Sequence, residues 1–261
     1  MATSSRTAPR IDLNADVGES FGPWPMGADD ELIPLVSSVN IACGAHAGDP
    51  ATILRTVQLA ARHGIAIGAH PGYPDLAGFG RRDLDLSPTD LRASLIAQVG
   101  AVQAAARVVG ATVGHVKPHG ALYNRSAADL AIATTVAEAM RDLDSTLVLV
   151  GLAGSVSIVA GRTAGLVVSS EGFADRRYEA DGSLRSRKLS GALLDRSEAA
   201  AQAVTIARDR SVTAADGSTL AVEADTICIH GDSPDAVAMA RAVVAALGAA
   251  GIRIGARSVD G

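Results

Sequence analysis

Cysteine is scarce in this chain: Cys43 and Cys228 are the only two among 261 residues. Two thiols cannot make a disulfide framework, so a packed core has to hold the fold, and a reducing, cytoplasmic setting is expected. Aromatic residues amount to 3%, too few for platforms that stack bases or sugars. No apolar run approaches the ~18 residues of a membrane-spanning helix. A formal net charge of −5 gives no attraction to a phosphate backbone or an anionic bilayer. Nucleic acid and membrane are therefore not expected as partners. The opening residues, MATSSRTAPR, lack an apolar h-region, so no secretory signal is expected, and residues 1–9 read as a flexible lead. A GxxxxGK[ST] phosphate loop is missing too. GLAGS, residues 151–155, is the nearest glycine cluster and has no lysine.

What is present is 48% hydrophobic residue, enough for a substantial core, arranged in short apolar runs that alternate with longer helical patterns. Strands are expected at RIDLNAD (10–16), SVNIAC (38–43), IAIGAH (65–70), TVGHVK (112–117), TLVLVG (146–151), LVVSSE (166–171) and DTICIH (225–230), with GIRIG (251–255) as an eighth. Helix starts are expected at Ser87-Pro88 with Asp90, at Ser126 and Asp129, and at Ser233-Pro234. Strand and helix in regular alternation imply parallel pairing. The length suits the ~250 residues of a β/α barrel, and a doubly wound open sheet is the competing architecture. No linker rich in proline, serine or charge divides the chain, so residues 10–261 read as a single β/α-barrel catalytic domain.

Within the strands the faces differ. Ile11, Leu13 and Ala15 take one parity and Asp12, Asn14 and Asp16 the other; Ile227 and Ile229 oppose Thr226, Cys228 and His230. One face is apolar and the other small or polar, which fits a barrel whose interior is polar towards one end. Polar residues gather at the C-terminal strand ends: Asp16 and Glu19, Asn40 and His46, His70, Lys117 and His119, Glu171, then His230 and Asp232. That end of a β/α barrel is where catalytic groups converge.

Each group also has a plainer reading. Asp12, Asn14 and Asp16 are either a polar edge strand or a carboxylate cluster for a base or a cation. Arg81 and Arg82 could hold a carboxylate or merely face solvent. Glu171 and Arg176 are the mouth-side members of a long charged loop, EGFADRRYEADGSLRSRKLSG. Cys43 and Cys228 read as small buried hydrophobes rather than nucleophiles. In HVKPHG (115–120), Pro118 ends the strand and puts Lys117 and His119 at the rim, with His115 deeper in a supporting role. An ammonium disfavours a metal beside it, so Lys117 with His119 looks like an anion or carbonyl polariser next to a proton-transfer base.

The blocks IDLNADVGESFG, LVSSVNIACGAHAGDP, IGAHPGYPDLAGFGRR, HVKPHGALYN, LVGLAGS, FADRRYEADGSL, SGAL and CIHGD resemble the LamB/YcsF family, in the family's order from residue 11 to 232. The family pattern differs at Ala45, Gly72 and Arg185-Ser186-Arg187. The resemblance implies an irregular (β/α) barrel of about seven strands, like that of the polysaccharide deacetylases and the glycoside hydrolase/deacetylase group. It also implies one component of an ATP-dependent enzyme that opens 5-oxo-L-proline to L-glutamate. ATP would be a co-substrate of the complex, handled by two other 5-oxoprolinase subunits. In such a reaction Asp16 or His70 would activate water, His119 would donate to the leaving nitrogen and Lys117 would neutralise the anion. Asn14, Glu19, His46, Arg82, Glu171, Arg176, His230 and Asp232 would contact substrate. Deacetylases of that fold hold a divalent metal with one aspartate and two histidines, so a metal-dependent amidase using Asp12, Asp16, His46 and His70 is a rival reading. A non-catalytic subunit that binds the intermediate is another.

Overall fold

In the computed structural model, which describes residues 9–231 and 235–256, strands and helices alternate as the changes of periodicity require. β1 (Arg10–Val17), α1 (Asp29–Leu32), β2 (Ser38–Ala42), α2 (Pro50–Arg62), β3 (Ala66–His70) and α3 (Pro88–Val108) come first. β4 (Val113–Val116), α4 (Gly120–Ala128), α5 (Leu130–Leu143), β5 (Val148–Leu152), α6 (Val156–Thr163) and β6 (Val168–Phe173) follow. The last elements are α7 (Arg196–Asp209), β7 (Ser211–Thr213), β8 (Thr219–Ala221), β9 (Thr226–Ile229), α8 (Ala236–Ala249) and β10 (Arg253–Ile254). The expected lead at residues 1–9 falls outside the described residues except for Pro9, as do Asp232 and the Ser233-Pro234 helix start.

Parallel strands pair in the order β1-β2-β3-β4-β5-β6-β9, and β9 returns to β1 with Leu13 opposite Ile227. That last pairing closes the barrel and excludes the open doubly wound sheet. β10, the expected eighth strand, flanks only Arg10 and Ile11. The antiparallel pair β7–β8 was not expected: its strands are three residues long, too short to show a period. No helix among the described residues is long and apolar enough to cross a membrane.

Local signals set the helix starts. Ser87 Oγ accepts from the Asp90 amide at 3.1 Å, and Asp129 accepts from the Ala131 and Ile132 amides at 2.9 and 3.3 Å. Such caps satisfy amides that a helix leaves orphaned. Ser126 begins no helix. It lies inside α4, where its hydroxyl donates to the Tyr123 carbonyl at 3.0 Å, so the start belongs to Asp129 alone.

The apolar parity faces the helices. Leu13, Ile41, Val116 and Ile227 are fully buried beneath α2, α3 and their neighbours, and each such side chain contributes roughly 1.5–3 kcal/mol. The other parity fills the barrel, where polar groups occur at both ends and Val148 and Val150 of β5 line part of the interior between them. At the N-terminal end Asp12 accepts from Ser37 (2.6 Å), Ser38 (2.8 Å) and Thr226 (2.5 Å). Three neutral donors thus hold a carboxylate four residues, about 13 Å, below Asp16.

Candidate active site

Lys117 leaves β4 with its amide donating to the Ala69 carbonyl (3.0 Å), and its side chain turns inward. Nζ lies 2.9 Å from Asp16 Oδ1, 3.0 Å from Glu171 Oε1 and 3.1 Å from Cys228 Sγ. Burial works against this ammonium, but the surrounding Asp16, Cys228 and Glu171 outweigh it and raise its pKa well above the usual lysine range. Burial likewise opposes the Asp16 carboxylate, yet His70 and Lys117 hold its pKa well below the ordinary one. The Asn14 amide donates to Glu171 (2.9 Å) and Thr226 (2.7 Å), and the Asn40 amide to Asn14 and Asp16 (both 2.8 Å). With both Asn40 N–H groups used, its Oδ1 accepts, so His115 Nε2 is the donor at 2.9 Å. Burial lowers His115 to about 4, and the ring is a neutral support, as its depth in the strand suggested.

Beside this network three imidazoles converge. His70 Nδ1 donates to the Lys117 carbonyl (2.7 Å) and His119 Nε2 to the Phe79 carbonyl (2.8 Å). Carbonyls only accept, so the inner nitrogens, His70 Nε2 and His119 Nδ1, meet lone pair to lone pair at 3.0 Å. Only a positive charge relieves that contact: a proton shared between the two rings, or a cation. Asp16 Oδ2 lies 3.4 Å from His70 Nε2 and Glu19 Oε1 3.9 Å from His119 Nδ1, both placed to balance it. His46 stacks on His119 with centroids 3.8 Å apart and planes 3° from parallel. Neither of its nitrogens has a hydrogen-bond partner, and burial, then His70, lowers it to about 3.

The set expected for a metal is not the set that meets. Asp12 is held at the far end of the barrel. His46 does place a ligand atom within 4.8 Å of those of Glu19 and His119, but it lies parallel to His119, so the lone pairs of the two rings lie in separate planes. Asp16, His70 and His119 do converge, and each imidazole donates its outer N–H to a carbonyl, as metal-bound histidines do. The two facing imidazole nitrogens would suit a cation, with Asp16 Oδ2 beside His70, although the Lys117 ammonium on the other Asp16 oxygen opposes one. Asp16, Cys228 and His230 also place ligand atoms within 4.8 Å of one another, but the Lys117 ammonium already sits on Asp16 and Cys228 and repels a cation there.

Above lies a cavity of about 560 Å³ at the C-terminal mouth, with Asp16, His70, Lys117 and His119 in its floor and Arg81, Arg176, Arg187 and Lys188 around it. Arg176 is buried, with Nη2 donating to the Arg185 carbonyl (2.6 Å) and Nε without a partner. Arg82 does not join them: its Nε donates to both Asp75 oxygens at 3.0 Å and its side chain points outward. Arg81 takes its place, packed over the Phe79 ring. Asn14, His46 and Glu171, expected to touch substrate, sit behind the wall: Asn14 and Glu171 tie Lys117 in place, and His46 backs His119. Glu19 and His230 do line the cavity.

Two lining or supporting groups were missed. Tyr123 enters from the first turn of α4, and burial raises its hydroxyl pKa well above the usual one. Asp175, two residues past β6, binds His230 Nδ1 at 2.9 Å. Its place just beyond a strand end was the available signal, the same one that singled out Glu171.

The model of the LamB/YcsF family matches residues 11–259. The chain is 51% identical over 247 residues to a 5-oxoprolinase subunit of Methylococcus capsulatus, covering 94% of this chain and 95% of that one. It is 52% identical over 246 residues to the protein of the same name from Tolumonas auensis, covering 94% and 98%. Among solved structures, the lactam utilization protein from Thermus thermophilus matches with a TM-score of 0.90 at 46% identity, over 95% of this chain and all of that one, 100%.

Proposed function

Because this chain belongs to the LamB/YcsF family, we propose that it is the ring-opening component of an ATP-dependent 5-oxoprolinase, with the barrel as its catalytic domain. It converts 5-oxo-L-proline, activated on its lactam oxygen, to L-glutamate. Partner subunits carry the ATP chemistry, in keeping with the subunit naming of the relatives and with a chain that has no phosphate loop. The observation that supports this best is a mouth that joins an ionised carboxylate and imidazoles in its floor to four cations around it.

An unactivated amide resists water, whereas phosphorylating its oxygen makes the ring carbon strongly electrophilic. A weak base then suffices, and the Asp16–His70 pair, 3.4 Å apart, takes the proton from the attacking water. Lys117 keeps Asp16 ionised; its N–H groups are already directed at internal acceptors, so neutralising the substrate falls to Arg176 and the neighbouring cations. His119, with both nitrogens engaged, orients His70 rather than donating to the leaving nitrogen. The facing lone pairs favour a second reading of the same site, in which Asp16, His70 and His119 hold a divalent cation. When bound, it would polarise water or the substrate oxygen.

The test combines 5-oxo-L-proline and ATP with this chain alone, the candidate partners alone, and all together. Glutamate is expected only from the complete mixture. Its absence there sinks the proposal, and so does undiminished glutamate formation by an Asp16→Asn complex. Metal content of chelator-free protein and activity after stripping decide the second reading, as would hydrolysis of simple acetamides by this chain alone.

A further inference from the structure

His119 spends its N–H on the Phe79 carbonyl and turns Nδ1 towards His70, so the ring nitrogen of the substrate needs another proton donor. Beside Asp16, His230 leaves β9, the strand paired with β1, and Asp175 leaves β6, which pairs with β9 on its other side. Asp175 directs both carboxylate oxygens at His230 Nδ1, at 3.0 and 2.9 Å, and the Phe173 ring lies against the imidazole, centroids 5.5 Å apart and planes 22° from parallel. A carboxylate only accepts, so Nδ1 carries a proton and Nε2 is the nitrogen left to exchange one with a ligand. Asp175 is nine-tenths buried, and its two oxygens meet one ring edge, which fixes both tautomer and orientation. His230 lines the cavity, and its ligand atom falls within 4.8 Å of the Asp16 carboxylate. A base and an imidazole donor thus stand close together at one cavity, in independent hydrogen-bond networks.

We propose that His230, oriented by Asp175, protonates the ring nitrogen of the activated lactam and thereby decides which bond of the tetrahedral intermediate breaks. The assignment rests on the functional reading above. Phosphorylated on oxygen, the lactam carries a C=N bond at the reacting carbon. Water adds to that carbon, Asp16–His70 takes one water proton, and His230, entering as the imidazolium, gives its Nε2 proton to the nitrogen and is recharged by the proton on Asp16, within 4.8 Å. The intermediate then bears hydroxyl, phosphate and amine on one carbon. In the productive collapse the C–N bond breaks, its electron pair goes to nitrogen, and His230 delivers a second proton. The hydroxyl becomes the carbonyl and gives its proton to the base, which again passes it to His230, so both protons gained by nitrogen come from the water. The product is an open-chain acyl phosphate, which a second water hydrolyses. In the abortive collapse the C–O bond to phosphate breaks instead, regenerating the lactam and releasing phosphate. An unprotonated amine leaves poorly, so without the dyad the abortive route wins and ATP is consumed for nothing.

Coupling is therefore the readout. In the reconstituted complex, ADP and glutamate are measured together, and the wild type is expected to form them in near-equal amounts. With His230→Gln, glutamate formation should fall roughly 100-fold or more while ADP formation persists, raising the ADP-to-glutamate ratio at least about tenfold. Asp175→Asn should move the ratio the same way by less, and imidazole added to a His230→Gly complex should restore coupling. A loss of folding or assembly would lower both products together and leave the ratio unchanged. The dyad assignment is overturned if the ratio stays at the wild-type value in both the His230 and Asp175 variants, or if imidazole leaves the His230→Gly ratio unmoved. A wild-type complex that makes no glutamate overturns the functional reading itself, and this assignment with it.

Discussion

Asp12 and Asp16 sit on the same face of β1, both buried, yet the two ends of the barrel treat them in opposite ways. Asp12 is enclosed by hydroxyls from Ser37, Ser38 and Thr226, neutral donors that satisfy it and leave nothing for a ligand. Asp16 is surrounded by groups that carry or exchange charge: Lys117, His70 and, from the end of the adjacent strand, His230. Among the described residues, the buried side-chain atoms without a partner belong to His46, Tyr73, Tyr123, Glu171 and Arg176. All of these lie in the C-terminal half of a strand or beyond it. Unmet polar groups cost stability, and two of these residues, Tyr123 and Arg176, line the cavity where a polar substrate can meet them. A carboxylate becomes structural or chemical according to whether its neighbours are saturated.

Substitutions can break that contrast or sharpen it. The largest effect is expected from Asp16→Asn, which should lower glutamate formation per folded complex about 10²–10⁴-fold, beyond any stability lost with the Lys117 ion pair. Lys117→Met should come next: it strands two carboxylates in the barrel and is expected to cost about 3–5 kcal/mol, read as a lower denaturation midpoint. Asp12→Asn should cost about 1–3 kcal/mol and leave turnover per folded complex near wild type. A collapse of turnover at unchanged stability would erase the distinction between the two ends.

The smallest effect is one of pH. His115 titrates at about 4 in the folded chain against ~6.5 when unfolded. Between those values the unfolded state binds more protons, so stability rises with pH. The contribution is complete above pH 6.5 and disappears as pH falls towards 4. The midpoint of the wild type should therefore drop over that window more steeply than that of His115→Gln, and equal slopes would mean that the ring is not held neutral.

Much of the mouth was legible in the sequence because side-chain direction along a strand is local. The parity of Asp12, Asn14 and Asp16, the ending of β4 at Pro118 and the rim placement of Lys117 and His119 follow from period two and from a residue that cannot continue a ladder. That Arg81 rather than Arg82 faces the cavity was not legible, because adjacent residues in an irregular loop carry no period. Here Asp75 captures one arginine and Phe79 supports the other.

By itself, then, the sequence determined the alternating β/α order, the polar inner face and the end of the barrel at which chemistry gathers, all consequences of short-range periodicity. Only the tertiary structure decided which charges meet. Lys117 reaches Asp16 and Glu171, and Asp175 finds His230, because closing the barrel brings strands distant in sequence side by side. The same closure puts two imidazole lone pairs face to face and stacks His46 behind His119. Those pairings depend on strand neighbours and registers that no local pattern records, and they separate the residues that hold the site from those that act in it.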